Sequence, residues 1–300
     1  YGGIETTWIW AEWNVWETIP YIFKENFGIN RGGTRSNQFF NGTATGGKAA
    51  VYIAYMNSSF DPWHYFVRAF DCKRRVWTKP YDMGEAPASD NHWNPSISVL
   101  PDGRLIFCYC YYTKPKYRIS TYSAKTESNL TKLISNWGTE QETVEIIQAS
   151  YPKFVRWDDR LLLFVRDGQT GIANATYLVW DSSLNRFVNF TVLLYNPSGS
   201  AGYFEPRKSG NNILLTVINH TNWNHEDLCF IYSPDKGKTW YNISGHQLTL
   251  PYPLNRSILA FDAPTAWEHG SGVPFMDENN YPSVIFAWRI HNETTNTDPF

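Results

Sequence analysis

Five short apolar runs recur along the chain, at 50–55, 105–110, 161–165, 213–218 and 284–288. Each is apolar at nearly every position rather than at alternate ones, as expected of a strand covered on both faces. The first four lie about 52–56 residues apart, close to the spacing of four-stranded propeller blades, and the last step is longer. Gly46-Gly47, Asp102-Gly103, Asp158-Asp159, Asn211-Asn212 and Asn279-Asn280 precede the runs. These residue types tolerate tight-turn backbone angles. Several units close on an acid followed by an aromatic: Asp71 to Trp77, Asp181 to Phe187 and Asp235 to Trp240. Helical periodicity is confined to 123–137, where a short helix or a decorated loop fits.

The pattern predicts an all-β chain, a β-propeller of four-stranded antiparallel blades with about five blades visible; a β-sandwich is the competing architecture. Residues 1–300 read as a single domain, with the Trp-rich segment 1–40 packing on it. The last unit breaks off after its second strand, near 292–296. A closed propeller whose last blade is incomplete leaves unpaired edges. The expectation is therefore a portion of a longer propeller, or strands supplied from elsewhere.

Composition agrees with strands and turns. Aromatics reach 17% (Trp 14, Tyr 19, Phe 18) and charged residues only 18%, so Asn, Ser and Thr form much of the surface. A formal net charge of −2 gives no electrostatic footprint for nucleic acid. No run of about 18 apolar residues exists, so no membrane span is expected. The chain starts at Tyr1 with no leader-like segment and reads as a mature or trimmed product.

Nine Asn-x-Ser/Thr sequons are spread over the whole length: Asn41, Asn57, Asn129, Asn174, Asn189, Asn219, Asn242, Asn255 and Asn292. They point to a glycosylated, secreted or cell-surface protein, against a reading of mere Asn/Thr richness. Of the four cysteines, Cys108 and Cys110 share a strand face and cannot readily bridge each other. Two readings stand: a disulfide from one of them to Cys72 or Cys229, or buried free thiols. No Cys-x-x-Cys or zinc-finger spacing occurs. A structural divalent metal has one candidate cluster, His220, His225, Glu226 and Asp227, in a segment read as a loop.

Ser233-Pro234-Asp235-Lys236-Gly237-Lys238-Thr239-Trp240 resembles the Asp-box turn S-x-D-x-G-x-T-W of neuraminidase-type repeats. In that turn the carboxylate accepts hydrogen bonds, Gly takes a positive φ and Trp packs between strands. Three wider segments resemble the BNR-4 group of seven-bladed propellers, which includes ulvan lyases and related polysaccharide lyases. They are Asp90-Asn91-His92 with Pro95 before Asp102-Gly103; Tyr151-Pro152 followed by 161–168; and Tyr203 to Arg207 followed by Ile213 and the Asp-box turn. In order, they cover about residues 40–290.

The resemblance implies β-elimination on a uronic-acid polysaccharide in an extracellular setting. It places His92, Tyr151 and Arg166 at catalytic positions, Tyr151 as base and acid, with Arg166 and His92 holding the carboxylate. Tyr203, Arg207 and Tyr111 are candidate substrate-binding residues. One departure stands out. Lyase-type members place a second histidine after the strand that follows the Asp-Asn-His segment, and here 108–113 reads Cys-Tyr-Cys-Tyr-Tyr-Thr. A tyrosine can donate a hydrogen bond there but cannot act as a neutral nitrogen ligand.

Each residue also has a plainer reading. Asp90 and Asn91 can form an Asx turn that His92 closes. Tyr151 can pack on Pro152. Arg166 can pair with Asp167, and Arg207 with Glu205. Two other functions are carried forward. One is a non-catalytic, glycosylated surface, adhesive or filament-forming protein, self-associating on the same fold. The other is a sialidase-like hydrolase, whose nearest arginine motif is Tyr117-Arg118-Ile119-Ser120.

Overall fold

The computed structural model describes residues 36–57, 60, 62–89, 93–169, 172–197, 199–221, 224–262, 267–269, 272–277, 281–285 and 288–290. The Trp-rich segment up to residue 35, His92 and the sequon at Asn292 lie outside them.

The first sheet is built from β1 (Ser36–Asn41), β2 (Ala49–Asn57), β3 (His64–Asp71), β4 (Val76–Trp77) and β5 (Tyr81–Glu85), in the order β1-β2-β3-β4, with β5 also on β3. β2 shows why its sequence is apolar throughout. Ala50, Tyr52, Ala54 and Met56 enter one buried cluster, while Val51, Ile53 and Tyr55 enter another on the opposite face. The turn before β2 needs glycine. A Cβ on Gly47 would collide with the carbonyl of Ala124, because the Gly47 N–H donates to the Lys125 carbonyl at 2.8 Å.

β6 (Ser96–Val99), β7 (Arg104–Tyr109), β8 (Tyr111–Thr113), β9 (Lys116–Ser123) and β10 (Gln141–Glu142) follow, with α1 (Leu130–Ser135) between the last two. The second sheet has the order β10-β9-β7-β6. α1 falls inside the one segment with helical periodicity. Asn129 caps it by accepting from the Lys132 N–H at 3.1 Å, and Leu130, Leu133 and Ile134 are its buried face.

The third sheet adds β11 (Ala149–Arg156), β12 (Leu161–Gln169), β13 (Ile172–Asp181) and β14 (Arg186–Tyr195). The fourth contains β15 (Ser200–Ser209), β16 (Asn212–Thr221), β17 (Asn224–Ser233) and β18 (Tyr241–Asn242), in that order. β19 (Tyr252–Pro253) runs parallel to β14, and β20 (Leu259–Asp262) pairs with β17. The third sheet therefore reads β19-β14-β13-β12-β11-β8. These antiparallel sheets are the blades expected from the repeat.

Beyond them, β21 (Trp267–His269), β22 (Val273–Met276), β23 (Pro282–Ile285) and β24 (Trp288–Ile290) form two nested pairs, β21 with β24 and β22 with β23. The run expected over 284–288 is covered by the end of β23 and the start of β24, with 286–287 outside the described residues. By internal contacts the chain forms two compact units, Tyr1–Leu163 with Val179–Val188, and Phe164–Leu178 with Asn189–Phe300.

The closing turns repeat in detail. Asp71 Oδ1 accepts from the N–H groups of Lys73 and Arg74, and Asp181 Oδ1 from those of Ser183 and Leu184. Arg75 (φ 56°) and Asn185 (φ 52°) then take the left-handed conformation, and Trp77 and Phe187 follow two residues later. At the third such turn Asp235 Oδ1 accepts from Lys238 and Thr239 N–H, and Oδ2 from Thr239 Oγ1 at 2.7 Å. Gly237 has φ 86°, and Trp240 is 1% exposed. Burial pushes the Asp235 carboxyl up, but these hydrogen bonds outweigh it and hold the group below its ordinary range.

Candidate functional site

The chain leaves the second sheet at Cys110, which is fully buried. It resumes as β8 against β11, with Thr113 opposite Ala149 and Tyr111 opposite Ser150. The register shifts by one between those pairs, so Tyr112 is the extra residue of a bulge. Tyr112 has φ 50°, and Tyr151, the residue after Ser150, has φ 57°. A non-glycine residue in the left-handed region costs about 1–3 kcal/mol. The other described cases, Arg75, Asn185, Asn189 and Lys236, are in the closing turns or are asparagine. Tyr112 and Tyr151 instead flank one pair of opposed residues, Tyr111 and Ser150, at the register shift.

Aromatic packing fixes the surroundings. The Trp93 ring, 7% exposed, meets Tyr111 edge-on at 5.6 Å and 73°. Tyr111 and Tyr112 lie 4.3 Å apart at 40°, and both are half-buried. Tyr109 also meets Trp93, at 6.4 Å, and lies 4.8 Å from Tyr65. Its Oη donates to Glu140 Oε2 at 2.7 Å. Burial raises the Tyr109 phenol, and the Glu140 contact raises it further, so it is a fixed neutral donor. Glu140 is raised by burial but held lower by Tyr109, Lys116 and Arg118, for a net downward shift. Lys116 Nζ is 3.3 Å and Arg118 3.6 Å from it.

Tyr151 itself is half-buried and lies in the first compact unit. Arg166 belongs to the second unit and is 6% exposed. The sequence reading ends its strand at the arginine, whereas β12 continues to Gln169, so Arg166 is an interior strand residue. Strand alternation sends Asp167 to the opposite face, and burial raises its carboxyl. Pairing of Arg166 with Asp167 is therefore not how the arginine is accommodated. Along β15 exposure alternates, with Tyr203, Glu205 and Arg207 outward and Phe204 and Pro206 buried. Arg207 Nε binds Glu205 Oε1 at 3.1 Å, the intramolecular pair considered from sequence.

All four cysteines are free; burial raises Cys72 to about 11 and Cys229 to about 12. The disulfide alternative fails. His220 and His225 are opposed residues on β16 and β17, not loop residues. The side chains of His220, His225 and Glu226 lie outside the described residues, and among those described no group of three or more His, Cys, Asp or Glu could hold a metal. Arg118 of the sialidase-like motif is committed to Glu140 and to the Met83 carbonyl at 3.2 Å.

Compared with known families, residues 50–297 match the profile of BNR repeat-containing family members. The chain belongs to the BNR repeat-containing family. Among solved structures, this BNR-family chain is similar to a polysaccharide lyase, the PL25 ulvan lyase, with TM-score 0.66 and 16% identity, covering 87% of this chain and 65% of that one. The same lyase bound to -[GlcA(1-4)Rha3S]- gives TM-score 0.63, 16% identity and coverage of 87% and 63%. The polysaccharide lyase Uly1 gives 0.61, 13%, and coverage of 76% and 58%. The likeness is one of fold, and the BNR-family chain spans less than two thirds of each of these structures. No curated protein matches by sequence. No helix among the described residues is long and apolar enough to cross a membrane. The fold class is an all-β propeller of antiparallel blades.

Tyr109, Glu140, Trp93 and Tyr112 were not singled out from sequence. The Tyr111-Tyr112 doublet after an apolar strand is the one local signal that could have found the bulge. Glu140 lies 31 residues from Tyr109, and only the fold joins them.

Proposed function

We propose that this propeller binds an extracellular uronic-acid polysaccharide and cleaves it by β-elimination, with Tyr151 as the base and acid. The supporting observation is the left-handed backbone of Tyr151 beside the Tyr112 bulge, since strain of this kind persists where surrounding structure holds a group for use. Family membership and the likeness in fold to ulvan lyases support the substrate class.

The Tyr151 oxygen takes the C5 proton of the uronate. The C5–H electron pair becomes the C4=C5 double bond as the C4–O bond breaks, and a proton from Tyr151 goes to the leaving oxygen. The acidity of C5 depends on neutralising the neighbouring carboxylate. Arg166 and His92 are assigned that role, guanidinium by paired charge-assisted donors. Tyr203 and Tyr111 are assigned to sugar binding. Arg207 is engaged by Glu205 and takes a lesser part.

The test is incubation of the protein with uronic-acid polysaccharides while following the ultraviolet absorbance of the unsaturated product. Growth of that absorbance supports the reading. Silence with every uronide, from protein that still binds them, turns it to a non-catalytic glycan-binding surface protein.

A further inference from the structure

The passage of the chain from the second sheet to the third at Cys110 sets two tyrosines side by side, Tyr111 packing against the buried cluster that holds Trp93 and Tyr109. Tyr109, just before it, is 8% exposed and tied to Glu140, and so belongs to the core. Tyr111 and Tyr112, just after it, are half-buried, with rings 4.3 Å apart and inclined at 40°. Trp93 is braced edge-on behind Tyr111 at 5.6 Å. The bulge turns Tyr112 out of the alternation that would otherwise apply, at the cost of a left-handed φ.

We infer that Tyr111 and Tyr112 form an aromatic subsite for one pyranose ring of the glycan, next to the sugar that reacts at Tyr151. The inference rests on the lyase reading for its neighbour, but not for its own binding chemistry. The C–H groups on one face of a pyranose are weakly polarised and apolar, and suit the electron-rich face of a phenol ring. The tyrosine hydroxyls reach the equatorial hydroxyls at its rim. Trp93 acts as a positioning residue: it fixes the plane of Tyr111, so that little side-chain freedom is lost on binding. A ring so held beside Tyr151 sets the register of the chain, and hence which glycosidic bond meets the base.

Titration calorimetry of the full chain with a glucuronate–rhamnose tetrasaccharide tests this, paired with steady-state cleavage of the parent polymer. Tyr112→Gly removes the ring and suits the left-handed backbone, so it should fold; Tyr112→Phe keeps the ring. The expected result is a three- to tenfold rise in Kd and KM for Tyr112→Gly, a smaller rise for Tyr112→Phe, and kcat nearly unchanged in both. Unchanged Kd and KM in Tyr112→Gly, with wild-type cleavage intact, overturns the subsite. Tyr112-dependent binding by a wild-type protein that cleaves nothing keeps the subsite and removes the lyase reading instead.

Discussion

The phenol of Tyr109 donates to Glu140 Oε2 at 2.7 Å, joining β7 to the segment just before β10. The Tyr109 ring also lies 6.4 Å from Trp93, which meets Tyr111 edge-on, so loss of the bond should be felt in that aromatic group. Glu140→Ala is expected to cost about 1–3 kcal/mol, since it leaves a buried donor unpaired. Glu140→Gln, which keeps an acceptor, should cost less. Urea denaturation with near-ultraviolet circular dichroism checks both; equal stability of wild type and Glu140→Ala would contradict the assignment.

The third closing turn gives a prediction with a pH sign. Trp240→Ala should cost about 3–5 kcal/mol, as an almost fully buried indole is lost. Asp71, Glu140 and Asp235 are held below their ordinary values. Their stabilisation is complete above the unfolded carboxylate range, about pH 4, and is lost as pH falls through their lower folded values. Asp167, raised by burial, acts in the opposite sense: its charged form destabilises the fold, and that penalty fades as pH falls towards 4. Tm should therefore be flat or rise slightly down to about pH 4 and then drop. Asp235→Asn should flatten the drop, and an unchanged acid limb would count against the turn's carboxylate.

The four free cysteines should behave as inert thiols. Burial raises Cys72, Cys108, Cys110 and Cys229 above the ordinary thiol range, and the thiolate is the reactive form. A disulfide-exchange colour reagent at pH 8 should react slowly with native protein and with four thiols after denaturation. Half-buried Cys72 should react first. Fewer than four thiols in the denatured, unreduced chain would show a disulfide.

What was legible from sequence follows the range of the interactions concerned. Apolar runs with both faces buried, such as 50–55, and the Asp-to-aromatic turns are local patterns, and they appear as expected. The course of β8 was not legible, because leaving one sheet for the next at Cys110 depends on which neighbour lies alongside. The left-handed Tyr151 was equally hidden: Tyr-Pro reads as an extended pair, and the register shift beside it arises on β8, which is remote in sequence. The length of β12 was underestimated because a charged Arg166 reads as a strand end, although the fold carries it in the interior.

The sequons separate by geometry. Asn41 and Asn255 are exposed, and each side-chain oxygen accepts from the hydroxyl two residues on, Thr43 at 2.7 Å and Ser257 at 2.6 Å. Asn242 is 6% exposed, and its Nδ2 donates to the Ser257 carbonyl at 3.1 Å. Expressed through a eukaryotic secretory pathway, the protein should carry glycan at Asn41 and Asn255 and none at Asn242. Glycopeptide mapping decides; full occupancy at Asn242 in folded, secreted protein would contradict the packing described.

The central claim is that Tyr151 performs the elimination. The direct measurement is the initial rate of ultraviolet absorbance increase on a uronic-acid polysaccharide, comparing wild type with Tyr151→Phe of equal Tm. Losing only the hydroxyl should lower the rate at least a hundredfold while Kd for the tetrasaccharide stays within about threefold. A Tyr151→Phe protein that generates unsaturated product at the wild-type rate would contradict the account.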